Sequence, residues 1–126
     1  MSDPRPKAYL LSGCPFSTRL YLFLTEAGLA KEMDVVTVQA GDDTHREVFA
    51  EVEATGLKPS FPIFERAPGS FEVDSQAVMD RLSEEHGVDL KTLSFLRYYN
   101  EGMLPRYGKM FMELKRLKGA DWNGEL

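Results

Sequence analysis

Apolar residues along this chain change their spacing several times, and each change marks an element. Residues 7–12 (Lys7-Ala8-Tyr9-Leu10-Leu11-Ser12) read as a short buried strand ended by Gly13. Pro15 then stands where the first turn of a helix accepts a proline. Phe16, Leu20, Phe23, Leu24 and Ala27 fall at i, i+4, i+7, i+8 and i+11, the stripe of a helix packed on one side, and Gly28 is its expected stop. Met33 to Val38 is β-branched and reads as a second strand. Thr44 and Glu47 make a capping-box pattern for a second helix, with Val48, Phe49 and Val52 inward and Gly56 at its end.

Phe61-Pro62-Ile63-Phe64-Glu65 reads as a strand entered through a proline, Ala67-Pro68-Gly69-Ser70 as a turn, and Phe71-Glu72-Val73 as the return strand of a hairpin. Asp74-Ser75 opens a third helix with Ala77, Val78 and Leu82 inward, and His86-Gly87 closes it. The order is a βαβ unit, whose crossover makes its strands parallel, followed by a helix, an antiparallel hairpin and a last helix. That predicts an α/β body over 1–87, a mixed four-stranded sheet with helices on both faces.

Residues 88–126 predict a helical extension. Leu90, Leu93, Leu96 and Tyr99 form one amphipathic stripe. Met103, Tyr107, Met110, Leu114 and Leu117, spaced 4-3-4-3, form another, and both are expected to be buried against the body or a second copy. Residues 119–126 are expected to be a tail with Trp122 as a possible anchor.

At 126 residues, 43% apolar and 28% charged, the chain fits one globular domain with an appendage. No apolar run approaches the ~20 residues of a membrane span, and the first residues lack a secretory signal's apolar stretch, so a cytoplasmic protein is expected. One cysteine cannot form an internal disulfide, which agrees with a reducing compartment. The net charge of −5 argues against nucleic acid as the main partner. Residues 1–87 carry 8 Lys/Arg against 15 Asp/Glu, a net of −7, and residues 88–126 carry 7 against 5, a net of +2. The extension is thus expected to dock on the acidic body or on another copy of it.

Three features carry candidate chemistry. Cys14 stands at the first turn of a helix, where unpaired N–H groups and the helix dipole favour a thiolate and make an accessible nucleophile. The alternative is a small buried filler. Ser60-Phe61-Pro62 heads a strand. A cis peptide there would turn the Phe61 backbone outward to pair with a peptide-like ligand, whereas a trans proline ending a loop is the commoner state. Asp74-Ser75 offers helix-start N–H groups to a carboxylate and Asp74 to an ammonium, or it is an ordinary cap. His45 and His86 lack a cysteine cluster at metal-ligand spacing and read as surface residues.

These features, in this order, resemble the thioredoxin superfamily, and more narrowly the N-terminal, glutathione-binding domain of glutathione transferases and glutaredoxins. Gly13-Cys14-Pro15-Phe16-Ser17-x-Arg19 is similar to the motif of omega-class transferases and chloride intracellular channel proteins, whose active thiol heads the first helix. Ser60-Phe61-Pro62 matches the family's cis-proline segment and Asp74-Ser75 its acidic-Ser pair, and the match covers about residues 7–87. The resemblance implies a thioredoxin-like fold and glutathione as co-substrate. Cys14 would face the glutathione sulfur, with Phe16 of the same motif in the binding set. The Phe61 main chain would pair with the cysteinyl unit, with Pro62 enforcing the shape. Asp74 and Ser75 would hold the γ-glutamyl end, and Lys58 the glycine carboxylate. Pro59 intervenes between Lys58 and the cis-proline segment, a departure from the glutaredoxin pattern.

Ser17 stands where dithiol glutaredoxins have a second cysteine, so a second glutathione would have to resolve a mixed disulfide. The extension is too short for the large helical domain of full-length transferases, and a full electrophile pocket is not expected without a partner. The leading expectation is a glutathione-dependent, single-cysteine thiol oxidoreductase acting on glutathionylated thiols. Two alternatives are a non-enzymatic assembly module dimerising through the C-terminal helices and, less favoured because Pro15 stiffens the loop, an iron–sulfur carrier.

Overall fold

β1 (Lys7–Leu11) lies inside a mixed four-stranded sheet of order β2-β1-β3-β4, formed with β2 (Asp34–Val38), β3 (Ile63–Ala67) and β4 (Ser70–Glu72). β1 and β2 are parallel, with Lys7 opposite Asp34 and Leu11 opposite Val38. β3 runs antiparallel to β1, and β4 to β3, as the expected βαβ unit and hairpin require. The helices are α1 (Pro15–Glu26), α2 (Asp43–Ala54), α3 (Ser75–His86), α4 (Ser94–Tyr98) and α5 (Leu104–Lys118), and a π-helical turn, Tyr99–Met103, joins the last two. The structure is a computed structural model describing residues 5–119, so the expected Trp122 anchor lies outside the described residues.

Successive side chains of a strand point to opposite faces, so the sheet needs two covers. Ala8 and Leu10 pack with Leu20, Phe23 and Leu24 of α1 and with Val78, Met79 and Leu82 of α3. Leu11, Val38 and Ile63 pack on the other side with Val48 and Val52 of α2. Among the described residues, no helix is long and apolar enough to cross a membrane.

Several boundaries differ from those the sequence predicts. α2 is capped by Asp42, whose carboxylate accepts from His45 N at 2.7 Å and Gln39 N at 3.0 Å, so Thr44 lies within the first turn instead of capping it. β3 begins at Ile63, because ladder pairing with β1 stops at Tyr9–Ile63 and Pro62 has no N–H to extend it. In α3, Ala77 is exposed and the buried face is Ser75, Val78, Met79 and Leu82, one i, i+3, i+4, i+7 stripe.

The extension packs on α1. Leu93, Leu96 and Tyr99 are buried, as the first stripe predicts. The second stripe is not. Tyr107, Met110 and Leu117 are 50%, 60% and 66% exposed, while Gly108 is buried and Phe111 half-buried against Phe16. A π turn spends about one residue more than an α-helical turn, which rotates the helix beyond it by about 100°. Gly108 and Phe111 thus face Phe16 of the body in place of the apolar row expected from spacing.

Glu26, at the end of α1, accepts from Phe95 N and Leu96 N at 2.8 and 2.9 Å, so a side chain of the body caps α4 across the interface. Glu26→Ala is expected to lower the unfolding free energy by about 1–2 kcal/mol. Glu26→Gln, which keeps an acceptor oxygen, should lose less, and urea denaturation of the two variants checks the order.

Candidate functional site

The turn from β1 into α1 is bound tightly to itself. Gly13 takes φ of +85°, a conformation that favours glycine, and Cys14 N donates to Leu11 O at 3.1 Å. Ser17 Oγ accepts from Leu11 N at 3.0 Å, and Thr18 donates to Cys14 O through both its N–H and its hydroxyl. Cys14 is the N-cap of α1 with Pro15 as the first helical residue, the position expected from the sequence.

Its exposure is a correction to that expectation. Cys14 is only 2% exposed and packs with Leu11, Val38, Val48, Val52, Phe61 and Ile63, because the ends of the strands and the inner face of α2 close around it. The sulfur makes no capping hydrogen bond to the first turn of α1. Cys14 is nevertheless among the lining residues of a cleft of about 550 Å³.

Two aromatic groups make the sides of that cleft. On one side His45 and Phe49 of α2 meet Phe61. Phe49 and Phe61 stack at 5.2 Å and 28°, and His45 sits edge-on to both. On the other, Phe16 of α1 and Phe111 of α5 meet edge-to-face at 6.4 Å and 77°. Lys58, Lys115 and Glu53 are the charged residues of its lining.

Cys14, Phe16, Lys58 and Phe61 are thus brought to one cleft. The Phe61–Pro62 peptide is cis, and Pro62 is buried. The N–H and C=O of Phe61 make no hydrogen bond within the described residues. Asp74 and Ser75 are not part of the lining. Asp74 caps α3 by accepting from Ala77 N at 3.1 Å, and the hydroxyl of the buried Ser75 accepts from Arg19 Nη2 at 2.8 Å. Both are therefore engaged within the protein, where the sequence left the first N–H groups of α3 partly free. Among the described residues no group of three His, Cys, Asp or Glu is placed to hold a metal ion.

Four side chains at or near the site have no role legible in the sequence. Arg19 reaches from α1 to Ser75, with its guanidinium carbon 5.9 Å from the Phe16 ring centre and its Nε buried without a partner. Its presence in the cysteine motif is the one signal that points to it. Tyr99 donates to Pro15 O at 2.5 Å, tying the π turn to the helix that carries Cys14, and burial followed by the nearby Cys14 raises its pKa. Phe111 and Lys115 reach the cleft because of the rotation of α5.

His45, expected on the surface, is half-buried in the cleft wall, whereas His86 is exposed. Gly41 N donates to His45 Nδ1 at 2.9 Å, so the neutral ring carries its proton on Nε2. Burial lowers the His45 pKa below 6.5, with Asp42 opposing and Arg46 reinforcing the shift. Between the lowered folded value and 6.5 the unfolded chain binds a proton that the folded chain refuses. Stability therefore rises with pH through that window and is lost as pH falls. An NMR titration should place His45 below 6.5, and His45→Gln should flatten the pH dependence of unfolding there.

No protein-family model matches the chain, and no curated protein matches it significantly.

Proposed function

We propose that this protein is a glutathione-dependent, single-cysteine thiol oxidoreductase with a thioredoxin-like fold. The strand order β2-β1-β3-β4, with its parallel pair and antiparallel hairpin, supports the fold assignment. One observation carries the function. Cys14, at the head of α1, shares a cleft with Phe61, whose peptide N–H and C=O are unengaged and suited to pairing with a peptide-like ligand.

In the proposed reaction the Cys14 thiolate attacks the glutathionyl sulfur of a mixed disulfide. A Cys14–glutathione disulfide forms, the original S–S bond breaks, and the departing thiolate takes a proton from water. A second glutathione thiolate then attacks the glutathionyl sulfur of that adduct, releasing glutathione disulfide and restoring Cys14. Ser17 is not a second thiol, and its hydroxyl already serves Leu11 N, so the external glutathione is required. Lys58 in the cleft is suited to the glycine carboxylate, whereas Asp74 and Ser75 lie outside the cleft lining and are engaged by Ala77 N and Arg19. A cytoplasmic setting, where glutathione is kept reduced, suits this chemistry.

Exposure of Tyr107, Met110 and Leu117 on α5 favours a second reading, an assembly module that dimerises through its C-terminal helix. The two readings separate on two measurements. Reduction of the glutathione–2-mercaptoethanol mixed disulfide should fall to the uncatalysed rate in Cys14→Ser, and equal rates in the two proteins would dispose of the redox reading. Sedimentation of Met110→Glu/Leu117→Glu against wild type tests assembly, which predicts a dimer that dissociates in the variant.

A further inference from the structure

We infer that α5 gives the thiol cleft a subsite for the departing half of the mixed disulfide, selecting thiols that carry an anionic group beside an apolar or aromatic one. The inference rests on the redox reading above and adds the substrate class. α5 brings Phe111 and Lys115, one helical turn apart, into the cleft that holds Cys14. Phe111 meets Phe16 edge-to-face, and Phe16 lies two residues after Cys14, so an apolar wall begins beside the sulfur. Phe49 stacked on Phe61 adds a second aromatic surface to the same cleft.

Charge sets the polarity of the far end. Lys58 and Lys115 both line the cleft, and neither has an ion-pair partner among the described residues. Glu53 is the one carboxylate in the lining, so two cations face one anion. Burial lowers the His45 pKa and so disfavours a third positive charge in the lining. With Lys58 engaged by glutathione, Lys115 remains for a second anionic group, and a cleft of about 550 Å³ lies within the ~300–1,000 Å³ range of small-molecule sites. In the reaction, Cys14 retains the glutathionyl sulfur and the thiolate that leaves carries its anionic group against Lys115.

Two glutathione mixed disulfides test this, one made with 4-mercaptobenzoate and one with its neutral counterpart 4-mercaptobenzamide. Wild type should show a KM for the benzoate disulfide roughly two- to fivefold below that for the benzamide disulfide, the range of an exposed charge contact. Lys115→Gln should bring the KM ratio to about one, and Lys115→Arg should restore it. Equal KM values in wild type, or a ratio unchanged by Lys115→Gln, would overturn the subsite and leave the redox reading standing. Failure of wild type to exceed Cys14→Ser on either compound would overturn both.

Discussion

A single buried hydrogen bond, from Leu11 N to Ser17 Oγ, holds the geometry on which the site depends. Leu11 is the last residue of β1 and Ser17 lies in the first turn of α1, so this bond joins the end of the strand to the start of the helix across Cys14. Ser17 is 2% exposed, which leaves its hydroxyl no access to solvent in place of that donor. An unpaired buried N–H costs about 1–3 kcal/mol, which makes the alternative conformations of this turn expensive. The Cα–Cβ bond of Cys14 is fixed in direction because the backbone on both sides of it is fixed.

The extension reinforces the same turn from outside. Tyr99 donates to Pro15 O, Glu26 caps α4, and Gly108 packs beside Phe16. A Cβ on Gly108 would stand 3.7 Å from Phe16 Cζ, an ordinary contact distance. These three contacts come from three different parts of residues 88–118 and converge on α1. The body supplies the thiol and most of the cleft lining, and the extension adds Phe111, Met112 and Lys115, so the site as a whole spans both.

Burial of Cys14 does not contradict a cleft-lining role, since one small atom can close a wall while its neighbours cover the rest of the side chain. It does change what the proposed chemistry requires. The departing and arriving sulfurs of that proposed reaction would have to use the cleft that Cys14 lines together with the Phe16–Phe111 and Phe49–Phe61 pairs.

Local patterns determined most of the body. The apolar spacing of α1, Gly87 as the left-handed stop of α3, the βαβ order and the hairpin are decided by short-range sterics, capping and periodicity, and they are legible directly. So is the place of Cys14 at the head of α1, because Gly13 and Pro15 bracket it. The cap of α2 is ambiguous in sequence because Asp42 and Thr44 are both good caps, and Gln39 N and His45 N together favour the carboxylate. What only the tertiary structure decided was the burial of Cys14, the engagement of Ser75 by Arg19, and the face that α5 turns to the cleft. The reason is physical. A heptad-like row reports which side of an isolated helix is apolar, but the π turn at Tyr99–Met103 and the packing of Phe111 on Phe16 bear on its rotation, and that packing joins distant parts of the chain.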